Sequence, residues 1–181
     1  MQLNSGVSRP TEIALTQTSG LFWRALVAFL AMPAVVAFLV PWLLVRRAGH
    51  FDMTALPIIG IGTTLLLWCV HDFHVSGRGT LAPWAPPQHL VTVGLYRVSR
   101  NPMYVAVLII LAGWALGFRS VTIWFYIAAV ALAFHVRVVM YEEPWLASTF
   151  GADWLAYRAR VRRWFGRTSS TTASNHHDPA G

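Results

Sequence analysis

Two groups of ionisable residues stand at the edges of apolar runs, where charge needs a reason. The first is the loop PPQHLVTVGLYRVSRNPMY, residues 86–104, with Arg97 and Arg100 just ahead of Pro102. Ser99 or Asn101 can cap a helix that starts there, and Pro102 suits its first turn, where the missing N–H costs nothing. A helix N-terminus flanked by two guanidinium groups is an anion site, fit for a carboxylate or a phosphate. The plainer reading makes the two arginines topology determinants beside a membrane span. The second group is Glu142 and Glu143, which follow an apolar run. Acidic side chains in such a place need a partner or a polar cavity. They can face the Arg97 and Arg100 loop, or pair with Arg137 or the C-terminal arginines. His71 and His74, with His89 further on, have the spacing of metal ligands. Zinc takes three or four ligands, and the single Cys69 lies inside an apolar run, so no metal is expected.

The elements that must position these residues are apolar. The chain has 181 residues, 56% of them hydrophobic and 12% charged, against about 25% charged in an average soluble domain. Mean hydropathy is +0.51. Net charge is +7, from 14 basic and 7 acidic residues, and every basic residue is arginine. In a polar chain that balance would point to nucleic acid; in this apolar one it points to a bilayer.

Four runs read as membrane-spanning helices: Leu21 to Val45, Met53 to Val70, Met103 to Gly117 and Val121 to Met140. Roughly 20 apolar residues cross a bilayer. Trp23 and Trp42 fall at the two interfaces of the first run. Residues 117–120 join the last two runs as a tight hairpin, and Gly113 with Gly117 forms a GxxxG that lets helix backbones approach. Gly60 and Gly62 can do the same in the second. With four spans, eleven arginines fall on the side of both termini and three on the other, which predicts cytoplasmic termini. The stretch after the last span places Trp154, Tyr157, Val161, Trp164 and Phe165 at helical spacing among arginines. It reads as an amphipathic helix at the cytoplasmic interface, compatible with packing on the bundle. The fold class is therefore all-α and polytopic, with one membrane domain over residues 21–167. Residues 1–20 and 168–181 are polar and expected to be disordered.

GLYRVSRNPMY, followed about 40 residues later by EEPWLASTFGADWLAYRARV, resembles the isoprenylcysteine carboxyl methyltransferase and phospholipid N-methyltransferase superfamily of integral-membrane enzymes. The shared pattern is G-x-Y-x-x-x-R-H-P-x-Y, an apolar hairpin, a Glu pair, then FG-x-x-Y/W-x-x-Y and a basic tail. It spans Gly94 to Val161, with weaker similarity from Gly77. The resemblance implies S-adenosyl-L-methionine as cofactor. Its contacts would fall on Gln88, His89, Leu90, Val91, Tyr96, Asn101, Pro102, Met103, Tyr104 and Glu142, with Glu143 alongside. Arg100, Arg137 and Glu142 are the candidate catalytic residues. Two positions depart from the pattern. Asn101 stands where the superfamily has histidine, and the arginine aimed at a prenylcysteine carboxylate has no counterpart in register, Arg137 being offset.

The residue types suit such a donor. Glu142 can accept from ribose hydroxyls or the amino group, while backbone N–H groups near Pro102, with Arg97 or Arg100, can hold the carboxylate. Tyr96 and Tyr104 offer aromatic surface to adenine or to the sulfonium. Methyl transfer is an in-line displacement in which positioning and water exclusion do most of the catalysis. A carboxylate or thiolate acceptor needs no base; an amine must first lose a proton, and no residue is an evident base for it. The sequence thus reads as a multi-pass methyltransferase of a bacterial inner membrane. Its acceptor would be lipophilic: an isoprenylcysteine-like carboxylate, a phospholipid amine or another small molecule. The alternatives are an NADPH-dependent membrane reductase of the sterol or steroid type, and a non-catalytic protein that keeps the fold.

Overall fold

The computed structural model describes residues 32–77 and 89–166. The first part of the first expected span with Trp23, both terminal segments expected to be disordered, and Gln88 lie outside them. Among the described residues every regular element is helical and there is no strand.

Helix α1 covers Met32–Val45. Pro41 has no N–H to give the preceding turn, and the helix opens into a π turn at Val35–Leu39 just ahead of it. Asp52 starts the next element: its carboxylate accepts from the Thr54 backbone at 3.1 Å and the Thr54 hydroxyl at 2.7 Å. A 3₁₀ turn at Met53–Ala55 leads into α2, Leu56–Gly77. This helix runs past Val70, where the apolar run ends. His71 and Asp72 change the polarity of the surface, but neither interrupts backbone hydrogen bonding. Helix α3 is Pro102–Gly117, with its proline in the first turn. Phe118 to Ser120 form the hairpin turn, and the Ser120 hydroxyl accepts from Ile123 N at 3.4 Å to open α4, Val121–Arg137. Without a break, α4 passes through a π turn at Val138–Glu142 into α5, Glu143–Arg160.

Helix α3 is the centre. Ala106, Val107, Ile110 and Leu111 are buried among Ala37 of α1, Leu66 of α2 and Val130 of α4. Such contact requires small residues where backbones cross. A methyl group on Gly62 would lie 2.8 Å from the Ile110 backbone nitrogen, and one on Gly113 would lie 3.0 Å from that of Ile59. Gly117 receives the Phe51 ring instead of a helix. Gly60 meets nothing within 4 Å, so it takes no part in this approach.

Two helices are long and apolar enough to cross a membrane, Met53–Phe73 and the continuous helix from Val121, each with hydropathy 1.9; α1 and α3 are shorter apolar helices. Large apolar side chains, among them Trp42, Trp68, Phe125 and Leu132, face outward. The interface helix differs from its expected form. It ends at Arg160, and Val161 is extended (φ −123°, ψ 131°). Gly151 bends it at φ 48°. Trp154, Tyr157 and Val161 turn inward onto Leu90, Leu146 and Phe150. Of the five residues expected to face the bilayer, only Phe165 is exposed.

Replacing Gly62 with alanine forces Ile110 to shift and should destabilise the protein by about 1–3 kcal/mol. Gly60→Ala should be neutral or slightly stabilising, because it only removes backbone freedom. Thermal unfolding of the two variants in detergent distinguishes them, and equal loss in both would show that α2 and α3 do not cross at Gly62.

Candidate functional site

The ionisable residues gather where α3 begins and α4 ends. Residues 91–101 lie across the C-terminal part of α2, with Val91 and Tyr96 buried against Cys69 and Phe73. Gly94 has φ 54°, and the Asp72 carboxylate occupies the place of a side chain there, Oδ2 lying 1.8 Å from where a Cβ would be. Only glycine satisfies both demands. Tyr157 of α5 donates from its hydroxyl to the Tyr96 carbonyl at 2.7 Å. Burial pushes both phenols above the ordinary tyrosine range, so both stay protonated and neutral.

After Arg160 the chain hooks back onto this loop. Arg100 N donates to the Arg162 carbonyl at 3.1 Å, and Gly166 N to the Val98 carbonyl at 2.9 Å. Asn101 occupies the N-cap position of α3 without a side-chain cap bond. Its amide donates to the Arg163 carbonyl at 3.1 Å. Ser99 does not cap either: its hydroxyl accepts from Asn101 N at 3.1 Å and lies 3.4 Å from the Arg163 carbonyl. The asparagine that replaces the superfamily's histidine therefore joins the hook to α3.

The two glutamates part company. Glu143 is buried and meets Arg163 through two bonds of 2.8 Å and Arg100 at 2.9 Å. Arg100 in turn lies over the Trp154 ring, 5.4 Å from its centre. Burial pushes the Glu143 carboxyl up, but the Arg163 hydrogen bond and the charges of Arg100, Arg163 and Arg158 outweigh it and hold the group below its ordinary value. Burial also pulls the Arg100 guanidinium below the arginine range, with Glu143 opposing. Glu142, by contrast, turns toward the hairpin. Its Oε1 accepts from the Tyr104 hydroxyl and from Arg137 Nε at 2.8 Å. Both bonds end on Oε1, which leaves Oε2 for a ligand. The Tyr104 ring stacks on Phe134 at 4.3 Å.

Of the residues singled out from sequence, Tyr104, Arg137 and Glu142 thus form one group, bordered by Tyr96. Arg100, Asn101 and Glu143 form another, with Arg163 and Trp154. Pro102 is buried, and Met103 packs between the central cluster and that around Tyr96. Leu90 packs on the Trp154 cluster, whereas His89 and Arg97 are exposed. Sequence reasoning counted Arg163 among the topology arginines and passed over Trp154, Phe134 and Asp72. No local spacing marks Arg163, since its partner is 20 residues away.

The fold and this site define a helical protein whose ionisable groups collect at one end of an apolar bundle. The chain belongs to the phospholipid methyltransferase family, whose pattern matches residues 51–153. It is 32% identical over 62 residues to an uncharacterized protein of Haemophilus influenzae, a stretch covering 34% of this chain and 98% of that protein. No solved structure matches. The family and the two long apolar helices together support a methyltransferase at a membrane. The matched region ends before Trp154, so Arg163 and Tyr157, which fix the loop from outside, lie beyond it.

Glu143→Gln leaves two guanidinium groups facing a neutral amide and should destabilise the fold by about 3 kcal/mol at neutral pH. Because the folded carboxyl titrates below its ordinary value of 4.5, its contribution is complete above that pH and is lost as pH falls through the folded value. The gap between wild type and variant in thermal unfolding should therefore close in acid. A gap that stayed constant from neutral pH to pH 3 would mean that Glu143 contributes no charge pairing.

Proposed function

We propose that this protein is an S-adenosyl-L-methionine-dependent methyltransferase with four membrane spans and cytoplasmic termini, acting on a lipophilic acceptor that enters from the bilayer. The observation that carries this reading is the meeting of Tyr104, Arg137 and Glu142. Two sequence blocks 38 residues apart converge there on one carboxylate with an oxygen to spare.

The donor, when bound, supplies an electrophilic methyl group on a sulfonium. The chain's own residues bind, orient and exclude water. Glu142 is suited to a ribose hydroxyl or an ammonium through Oε2, because Tyr104 and Arg137 hold the carboxylate in one orientation. The stacked Tyr104 and Phe134 rings offer an apolar and aromatic wall, favourable to adenine and to a cation. Val91 and Met103 keep the Tyr96 side of the site dry. A dry site matters, because water competes with the acceptor and weakens every electrostatic contact. Acceptors whose attacking atom is already anionic suit these residues best, since no group beside Glu142 is placed as a base. That favours a carboxylate or thiolate over a protonated amine.

Calorimetric titration of the purified protein with S-adenosylhomocysteine should give saturable binding. Glu142→Gln should weaken it about tenfold, the effect of removing one charge-assisted hydrogen bond, while thermal unfolding stays near wild type. Binding of NADPH alone would overturn the reading in favour of a reductase, and binding of neither ligand would favour a protein that keeps the fold without the reaction.

A further inference from the structure

Glu143 carries one negative charge and stands among three positive ones. Arg100 and Arg163 touch it, and Arg158 of α5 lies near enough for its charge to act on both Glu143 and Arg100. Two positive charges are left over in a half-buried place. The hydrogen-bonding inventory is unbalanced in the same sense. The Arg100 side chain is only 9% exposed, yet its Nε is buried without an acceptor, and Nη1, though close to Glu143, makes no aligned hydrogen bond. Beneath it Trp154 is 1% exposed, and its indole Nε1 also lacks an acceptor among the described residues. Buried donors are nearly always satisfied in folded proteins, so an acceptor belongs here. The start of α3 adds to the demand. Asn101 spends its side chain on the hook, and the first turn of the helix has no side-chain cap. Its N–H groups therefore present a positive end beside Arg100.

We propose that Arg100, Arg158 and Trp154 form an oxyanion site for a phosphoryl group, separate from the Glu142 face and independent of methyl transfer. A dianionic phosphoryl matches the surplus of two charges, and its several oxygens match donors that have no acceptor. Arg158 is exposed and closes the site from outside, whereas Arg100 and Trp154 form its floor. The phosphoryl group can belong to a lipid headgroup or be free phosphate. In the first case the site anchors α5 in the headgroup layer; in the second it binds a soluble ion at the same donors.

The test uses the full-length protein in neutral detergent, titrated with inorganic phosphate or with short-chain phosphatidic acid, each against chloride of equal ionic strength. The unfolding temperature should rise to saturation with at least one of the two, and which one responds assigns the source. Arg158→Gln should shift the titration midpoint about tenfold upward, Arg158→Glu should abolish it, and Arg160→Gln should leave it in place. Saturating S-adenosylhomocysteine should also leave it in place. Three results would overturn the proposal: no stabilisation beyond that by chloride, equal weakening by Arg158→Gln and Arg160→Gln, or displacement of the anion by S-adenosylhomocysteine.

Discussion

A carboxylate taken out of water must be matched, and the architecture at the working end of this bundle follows from how Glu143 is matched. One guanidinium comes from the loop that opens α3, another from the hook that follows α5, and the carboxylate itself from the first residue of α5. Three segments distant in sequence are held to one point. Desolvation of both partners is the cost of such an arrangement, and bidentate geometry offsets it. Around that point lie Trp154 beneath Arg100, the Asn101 amide on the Arg163 carbonyl, and the Tyr157 hydroxyl on the Tyr96 carbonyl. The loop from Gly94 to Asn101 is therefore shaped by α5 and the hook as much as by its own residues.

With that loop fixed, the neighbouring Glu142 is free for another task. Successive residues on a helix already point about 100° apart. Here the first glutamate closes a π turn and the second begins α5. A π turn is a frequent device for re-aiming side chains at functional sites. Glu142 consequently reaches back to Tyr104 across the hairpin, while Glu143 faces the opposite group. The close crossing of α2 and α3 at Gly62 and Gly113 lets the same end of the bundle take in Tyr96, whose ring is sealed by Cys69 and Phe73 of α2.

Much of the helical content was legible in the residues. Pro102 marks the start of α3, Ser120 the start of α4, and the short turn between them makes the hairpin. The small residues at Gly62 and Gly113 were readable as contact points, although spacing could not tell Gly62 from Gly60. The pairing of Glu142 with Arg137 needs only a helical turn, and it was among the readings open from sequence. Less was legible at the hook. Asn101 had the composition of a cap and became a link to Arg163. The aromatic periodicity through Phe165 looked like one continuous face, but the chain leaves the helix at Arg160 to bond to residues 98–100. Polarity at His71 suggested an end to α2, yet the helix continues because Asp72 finds a seat against Gly94.

By itself the sequence determined the helical segments, the apolar character of the bundle, the hairpin and the family. Each of these rests on local backbone hydrogen bonding and on composition, which are written along the chain. Only the tertiary structure decided which arginine serves which glutamate, and that Asn101 and Trp154 support the loop. An ion pair or a buried aromatic selects its partner by distance in space, and that distance exists only once α3, α5 and the hook have been brought together.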